Sequence, residues 1–310
     1  MDVPQTEFAV TFVRHGESTD NLKSIWAGWK DAGLSVHGFN QAEASGASHA
    51  NIKIHTIFSS PLERAHTTAL QVLKHQREPK PPLILTPLLR EQHFGIAEGQ
   101  KISYKRTTTL GNGSSEFSPL EDRTSKFPQG ESAEDVAIRA DNFIDEFFYP
   151  LMEDISTLRS SEDQPQARIH IYVVSHGIAI SELVAAFLRR DRHADTAQSQ
   201  AWRGLRNTGW TRILVGLDPT ANESFSTAPS MTTVESTPSD VHSIPEENAT
   251  QTGPATSAKP NIIVRITHVN QSSHLNNLKR QKGIGSSTYD QNQKPITDFF
   301  SGGSLAKSQS

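Results

Sequence analysis

Two histidines, each followed by a glycine, come directly after apolar runs of the chain. Residues 8–13 precede Arg14-His15-Gly16, and residues 169–175 precede His176-Gly177. Apolar, β-branched runs of this kind are typical of parallel strands that are buried on both faces. In open α/β sheets, ligands bind at the carboxyl ends of such strands. We therefore expect the two imidazoles to meet at one edge of a single sheet.

Two arginines and a glutamate complete a set of groups suited to phosphate chemistry. Arg14 and Arg64 can offer permanently charged, bidentate donors to phosphate oxygens. Nearby cations lower the pKa of a histidine and favour the neutral ring that a nucleophile needs, so His15 is the candidate nucleophile. Arg64 and Gly177 are expected in the first turns of helices, where free N–H groups attract anions. Glu91 is the candidate proton donor to the leaving alkoxide, because we expect it to end a strand at the same sheet edge.

The elements that must position these groups follow from apolar periodicity and from helix-start signals. Besides the two strands that end in His-Gly, we expect strands at residues 56–60, 83–89, 210–217 and 261–269. We expect helices at residues 35–50, 61–74, 131–158 and 178–188, with Ser35 as an N-cap and Pro61 in a first helical position. The helix at residues 131–158 has Val136, Ile138 and Phe143 on its predicted apolar face. This pattern predicts an α/β fold, a three-layer sandwich in which a mostly parallel sheet is flanked by helices.

Changes in composition predict how the domain is interrupted. Residues 218–260 are rich in Ser, Thr, Pro, Ala and Glu and have few large apolar residues, so we expect them to be disordered. The strand at 261–269 should pair with the strand at 210–217, which makes the interruption a loop within one domain at residues 1–275. Residues 100–130 have no sustained period and are interpreted as an inserted lid or loop. The polar residues 276–310 are expected to form a disordered tail.

The overall composition narrows the class of protein. The 310 residues have a formal net charge of -4, which argues against direct binding to nucleic acid. The chain has 0 cysteines, and this excludes disulfides, thiol nucleophiles and cysteine-bound metals. No apolar run approaches the roughly 20 residues that span a bilayer, and the first residues show no signal-peptide pattern. We expect a soluble protein of the cytoplasm, the nucleus or both, without membrane contact.

Four short motifs, in this order, resemble those of the histidine phosphatase superfamily, also called phosphoglycerate mutase-like. They are Arg14-His15-Gly16-Glu17-Ser18 with Asn21, Ser59-Ser60-Pro61-Leu62-Glu63-Arg64-Ala65, Leu89-Arg90-Glu91-Gln92-His93-Phe94-Gly95, and Ser175-His176-Gly177. The resemblance extends over roughly residues 7–275 apart from the expected insert. One such motif would be weak evidence, whereas four in the right order are strong.

The resemblance implies a role for each residue of the set. His15 becomes a covalent phosphohistidine, and Arg14, Arg64 and His176 stabilise the charge on the transferring phosphoryl group. Glu91 protonates the leaving oxygen and then activates the water that hydrolyses the intermediate. The residues implied to bind substrate are Arg14, Asn21, Gly28, Arg64 and Gly177. No metal and no other cofactor is implied.

Three functions remain open at this point. The stretch after Glu91, Phe94-Gly95-Ile96-Ala97-Glu98-Gly99, is closer to the phosphatases of the family than to its mutases. The first interpretation is a metal-independent phosphomonoesterase, a histidine acid-type phosphatase, acting on a small phosphorylated metabolite or a phosphoprotein. The second is a phosphoglycerate-type mutase, in which Lys101, Lys105, Arg106 and Arg123 replace the adjacent arginine pair that residues 100–130 lack. The third is a binding module with the phosphatase fold, tethered to a sliding clamp or a nuclear complex.

The tail contains the motif on which this third interpretation rests. Residues 293–300 resemble the peptide that docks on the replication sliding clamp, PCNA. The pattern consists of Gln293, Ile296, Phe299 and Phe300. Ile296, Phe299 and Phe300, on one face of a short helical turn, would fill an apolar pocket of the clamp. A disordered tail suits this mode of binding. The alternatives are a tail that packs on its own domain and a chance match.

Overall fold

Six strands form one sheet in the computed structural model, which describes residues 7–102, 117, 119–159, 168–194, 202–218 and 260–290. The strands are β1 (Phe8–Arg14), β2 (Ile54–Ser59), β3 (Leu83–Leu85), β4 (Ile169–Ser175), β5 (Trp210–Leu217) and β6 (Ile262–Gln271). They lie in the order β3-β2-β4-β1-β5-β6. The first four in this order pair in parallel, while β5 and β6 are antiparallel to their neighbours. The predicted pairing of β5 with β6 is confirmed.

Helices cover both faces of this sheet. They are α1 (Val36–Ser48), α2 (Glu63–Lys74), α3 (Ala133–Phe143), α4 (Tyr149–Arg159) and α5 (Gly177–Arg189). Side chains alternate across the sheet, so Phe12 packs in a cluster with Phe187 of α5, while the next residue, Val13, packs in a cluster with Val72 of α2. The predicted three-layer α/β architecture is therefore confirmed.

The strands that end in His-Gly are neighbours. β1 and β4 pair in register from Phe8 opposite Ile169 to Arg14 opposite Ser175. The next amide continues the pairing, because His15 N donates to the Ser175 carbonyl at 3.0 Å. The carboxyl ends of the two strands are thus level, as the sequence predicts.

Two predicted elements near the site are corrected. β3 ends at Leu85, and residues Pro87–Leu89 form a 3₁₀ turn in which Thr86 Oγ1 accepts from Leu88 N, so Glu91 does not end a strand. Proline has no N–H to donate to a sheet, which explains why the strand stops. α2 begins at Glu63 rather than at Pro61, because Ser60 Oγ accepts from Leu62 N and holds the proline in a turn.

The long helix expected at residues 131–158 has an interruption. Ser132 and Asp135 form a capping box at the start of α3, and a π-helical segment, Ile144–Phe148, separates α3 from α4. Ile138 is 57% exposed, so its assignment to the apolar face was wrong. Two residues correspond to about 200° of rotation on a helix, which places Ile138 opposite the buried Val136.

The end of the described chain also differs from the expected disordered tail. Residues 276–290 pack on the domain, where Tyr289 stacks on Phe39 with ring centroids 3.7 Å apart. Backbone hydrogen bonds join this segment to residues before and within α1: Tyr289 N donates to Leu34 O at 2.8 Å, and Val36 N donates to Ser287 O at 2.9 Å. The aromatic contact and the backbone pairing hold a segment whose composition is polar.

Several sequence predictions lie wholly or largely outside the described residues. These are residues 219–259 of the insert, residues 103–116 of the expected lid, and the motif at 293–300. Among the helices that the structure does describe, none combines the length and the apolar character needed to cross a membrane.

Candidate active site

Two imidazole rings lie together at the ends of β1 and β4. The ring centroids of His15 and His176 are 5.0 Å apart. His15 is 3% exposed, and His176, the N-cap of α5, is fully buried. The meeting of the two histidines at one sheet edge is confirmed.

His15 is held in the neutral form by its surroundings. Burial lowers its pKa well below the usual value, and the charges of Arg64 and then Arg14 lower the pKa further. Its Nδ1 lies 2.6 Å from the Gly16 carbonyl, which can only accept, so the proton is on Nδ1. The lone pair is therefore on Nε2, the atom that would attack phosphorus.

The second imidazole is also neutral at pH 7. Burial, followed by the charge of Arg64, lowers the pKa of His176 well below its usual value. Its Nε2 lies 2.9 Å from Ser60 Oγ, while Nδ1 is buried and has no hydrogen-bond partner among the described residues. His176 thus contributes hydrogen bonds rather than a fixed charge.

Arg14 ends β1 beside the two rings. Its Nη1 donates to the Leu205 carbonyl at 2.6 Å, and its buried Nε has no partner within the described part of the chain. Burial lowers its pKa, and the charge of Glu91 acts in the opposite direction. An arginine pKa leaves ample margin for the charge to persist at neutral pH.

Arg64 lies in the first turn of α2 and is almost fully buried. Its Nη2 donates to Gly28 O at 2.7 Å and its Nη1 to Lys30 O at 3.1 Å. Thr68 Oγ1 links α2 to the loop that carries His15, because it donates to Arg64 O at 2.7 Å and accepts from Gly16 N at 3.0 Å. The two carbonyls thus fix the guanidinium, while Thr68 fixes the backbone of Arg64 relative to the loop that carries His15.

Glu91 reaches the site from a loop instead of a strand end. Its Oε1 accepts from Gln92 N and Ala179 N, both at 3.1 Å, and its Oε2 accepts from Ile178 N at 3.3 Å. The carboxylate therefore caps the amino end of α5, the helix that begins directly after His176. The prediction that Glu91 joins the site is consistent with this position, although the element that places it is different.

Gly177 leaves space between the charged groups. A Cβ at this position would be 3.9 Å from both Arg14 Nε and Glu91 Oε2. The unpartnered guanidinium donor and the less tightly bonded carboxylate oxygen thus flank the same small volume. A phosphoryl group in that volume could contact both.

The other two predicted substrate contacts have structural partners. Asn21 is exposed, and its Oδ1 accepts from Ser18 N at 3.0 Å and from Asn207 Nδ2 at 3.2 Å. Gly28 is buried at a φ of 47°, and a Cβ there would be 2.1 Å from Glu98 Oε1. Gly28 therefore acts on the site through its carbonyl, which fixes Arg64.

A layer of supporting residues was missed by the sequence analysis. Arg139 of α3 donates to the carbonyls of Leu88, Arg90 and Glu91 at 2.8, 3.0 and 3.1 Å, and it pairs with Glu131 at 2.8 Å. It thereby clamps the loop that carries Glu91. A single arginine in an amphipathic helix usually faces solvent, so the sequence contains no signal for this role.

A cavity of about 600 Å³ opens beside Arg14 and Glu91. Its near end is formed by Arg14, Glu91 and Gly177, and its walls include Trp26, Phe94, Leu120, Glu121, Asp122, Arg123, Glu182, Arg203 and Leu205. A volume of this size suits a small molecule. Within the described part of the chain, no group of three or more His, Asp or Glu side chains has an arrangement that could hold a metal ion.

Comparison with known proteins gives the family. Residues 10–220 match the sequence model of the histidine phosphatase superfamily, branch 1. A probable phosphatase of Schizosaccharomyces pombe is 30% identical over 297 residues, which are 96% of this chain and 81% of the relative. The fructose-2,6-bisphosphatase TIGAR B of Danio rerio is 30% identical over 67% of this chain and 86% of its own. The solved structure of mycobacterial hydrolase 1 shares the fold, with a TM-score of 0.56 at 22% identity over 86% of this chain and all of that one. The chain belongs to the histidine phosphatase superfamily.

Proposed function

We propose that the protein is a metal-independent phosphomonoesterase that acts on a small phosphorylated metabolite through a phosphohistidine at His15. The observation that supports this most directly is the state of His15, a buried neutral imidazole whose Nδ1 donates to Gly16 O at 2.6 Å and whose Nε2 lone pair is available. The S. pombe relative is described as a probable phosphatase and the D. rerio relative as a bisphosphatase, which agrees with this chemistry.

The reaction has two steps. His15 Nε2 attacks phosphorus, and the bond between phosphorus and the ester oxygen breaks. Glu91, a carboxylate in the free enzyme, carries a proton in the substrate complex and gives it to the leaving alkoxide. Glu91, now a carboxylate, takes a proton from a water molecule that attacks the phosphohistidine, and this releases phosphate and neutral His15. Arg14, Arg64 and His176 donate hydrogen bonds to the phosphoryl oxygens in both steps.

The experiment measures release of inorganic phosphate from a panel of phosphomonoesters in the presence of a chelator. We expect turnover by the wild type and none by His15→Ala. His55→Ala is the matched control, because His55 is exposed near the start of β2, at the opposite end of the sheet. Turnover that survives His15→Ala, or that the chelator abolishes, would contradict the proposal.

A mutase remains the second enzymatic interpretation, with less support. It needs donors for a second phosphate, and Arg123, one of the residues that could supply them, is paired with Glu182. Lys105 and Arg106 lie outside the described residues. Isomerisation of 3-phosphoglycerate that exceeds its hydrolysis would favour the mutase.

We also propose that the tail attaches the enzyme to a sliding clamp, which would place part of its population in the nucleus. The basis is the sequence pattern of Gln293, Ile296, Phe299 and Phe300. A peptide of residues 285–310 should bind the clamp, and Phe299→Ala with Phe300→Ala should abolish binding. Binding that is unchanged by both substitutions would refute the tether.

A further inference from the structure

The charges of the cavity change with distance from the catalytic groups. Beyond Arg14 and Glu91, the described lining has two guanidiniums, Arg123 and Arg203, and three carboxylates, Glu121, Asp122 and Glu182. Hydrogen bonds from Thr124 and Ser125 lower the pKa of Asp122 to about 2, so it is ionised at every physiological pH. The distal part of the cavity thus has an excess of negative charge among its described residues.

One of the two distal guanidiniums is already neutralised by a carboxylate. Arg123 Nη1 and Nη2 donate to Glu182 Oε1 and Oε2 at 2.9 and 2.8 Å, a bidentate pair. Glu182 lies on α5, five residues after Gly177, and its side chain is 4% exposed, whereas that of Arg123 is 45% exposed. The buried partner is therefore the fixed one, and it orients the guanidinium toward itself.

This pair makes a second phosphate costly to bind. To accept one, Arg123 would have to leave Glu182, and the buried carboxylate would then lose its partner. If Arg123 stayed in place, the incoming phosphate would face an ion pair with no net charge, beside Asp122. Arg203, the other distal guanidinium of the described lining, is exposed to solvent, where its charge is screened. Either arrangement is worse for a dianion than for a neutral group.

The remaining walls suit an uncharged substrate body. Trp26 and Phe94 line the same cavity with ring centroids 4.6 Å apart. Aromatic faces pack against the C–H face of a sugar or a similar ring. The cavity thus combines a phosphate end, an aromatic wall and a distal end that disfavours anions.

We propose that the substrate is a phosphomonoester with a single phosphate and an uncharged, hydroxyl-bearing body, and that the Arg123–Glu182 pair excludes substrates with a second phosphate. This inference rests on the proposed phosphatase activity. It makes Glu182 a specificity-determining residue in a family that also includes a bisphosphatase.

The test compares matched sugars with one and two phosphates: glucose 6-phosphate with glucose 1,6-bisphosphate, and fructose 6-phosphate with fructose 2,6-bisphosphate. The measured quantity is kcat/KM for phosphate release. In the wild type, kcat/KM should be roughly tenfold or more higher for the monophosphate of each pair, which is the effect expected from about one charge-assisted hydrogen bond. Glu182→Gln keeps the side-chain shape and frees the charge of Arg123, so the ratio should shift toward the bisphosphate by roughly tenfold.

Two further variants isolate the cause. In the double variant Glu182→Gln/Arg123→Gln the shift toward the bisphosphate should disappear, because the positive charge of Arg123 is no longer present. Glu153→Gln removes one negative charge from the exposed surface of α4 and should leave the ratio unchanged. If the pair had a purely structural role, Glu182→Gln would lower kcat/KM equally for both substrates and leave their ratio unchanged.

The outcomes separate this inference from the proposed function. No release from any ester, including p-nitrophenyl phosphate, would overturn the phosphatase proposal and this inference with it. If the wild type releases phosphate from p-nitrophenyl phosphate but its kcat/KM for the bisphosphates equals or exceeds that for the monophosphates, the inference alone is overturned. This comparison uses the wild type only, so it does not depend on the folding of any variant. A ratio that Glu182→Gln does not change would also overturn it.

Discussion

Replacement of Glu91 by glutamine should separate proton donation from positioning. In Glu91→Gln the side chain keeps its length, and its carbonyl oxygen can still accept hydrogen bonds from the backbone N–H groups of Gln92 and Ala179, which Oε1 accepts in the wild type. Its NH₂ group then takes the position of Oε2 and faces the N–H of Ile178 at 3.3 Å. The variant can therefore fold, but it cannot give a proton to an alkoxide as a carboxylic acid does.

The expected magnitudes follow from these contacts. Loss of a general acid costs roughly 10²–10⁴ in rate when the leaving group needs a proton. One lost hydrogen bond at a partly buried helix start, with loss of the charge that faces the helix dipole, costs about 1–2 kcal/mol of unfolding free energy. For a domain of this size that corresponds to about 2–8 °C in Tm. The kinetic effect is the larger one, and it can be measured on a folded enzyme at 25 °C.

The measured quantity is the rate of the first turnover, because in the proposed reaction the phosphohistidine forms before Glu91 activates water. A sugar monophosphate releases a basic alkoxide, whereas p-nitrophenyl phosphate releases an anion that is stable without a proton. Glu91→Gln should slow the first turnover of the sugar ester by roughly 10²–10⁴ and that of the nitrophenyl ester by less than about tenfold.

Equal losses with the two esters would refute the assignment. Glu91 would then act only by capping α5 and holding the amides of Ile178 and Ala179 in place. A loss of folding, seen as a Tm shift much larger than about 8 °C, would show that the contacts at this helix start contribute more than about 2 kcal/mol to the free energy of unfolding.

Three further predictions test the supporting structure. Arg64→Gln should lower kcat for phosphate release by roughly 10²–10³, and Arg64→Lys by an intermediate factor because the charge stays while the fork geometry is lost. Burial lowers the pKa of His49 to about 4 in the folded protein, whereas the same side chain in the unfolded chain has its usual pKa of 6.5. As the pH falls below about 6.5, the unfolded chain therefore binds a proton that the folded protein does not bind. Urea unfolding should therefore show a loss of about 2 kcal/mol from this residue between pH 7.5 and 5, and His49→Gln should remove that part of the pH dependence. Gly16→Ala should fail to fold or lose several °C in Tm, because the added Cβ would be 2.3 Å from Gly38 O. Gly177→Ala should keep its Tm, because the added Cβ would have only 3.9 Å contacts, but it should raise KM, because the Cβ would enter the volume proposed for the phosphoryl group.

The sequence predicts best the part of the site that follows buried strands. Residues 8–13 and 169–175 are mostly apolar runs with clear ends, and His15 and His176 stand at those ends. The pairing of β5 with β6 across the insert was also predictable, because both have β-branched runs.

The parts that the sequence did not predict depend on contacts between distant residues. Glu91 was placed in the site for the wrong reason, since its loop is fixed by Arg139 and by Trp29 Nε1, which donates to Glu91 O at 2.7 Å. Neither contact has a local pattern. The packing of residues 276–290 was missed because a polar segment can still be ordered by one aromatic stack and a few backbone pairs, here around Tyr289.

The same physical terms explain why the site needs so much support. Burial lowers the pKa of Arg64 and of Arg14, so each buried guanidinium costs folding free energy, and the neutral rings of His15 and His176 do not compensate that charge. Glu91 supplies part of the missing negative charge, and the carbonyls of Gly28, Lys30 and Leu205 accept from the guanidiniums without neutralising them. A phosphoryl dianion would supply the rest. We therefore expect a bound phosphate to stabilise the two buried guanidiniums, and the proposed phosphoryl transfer would draw on the same charges.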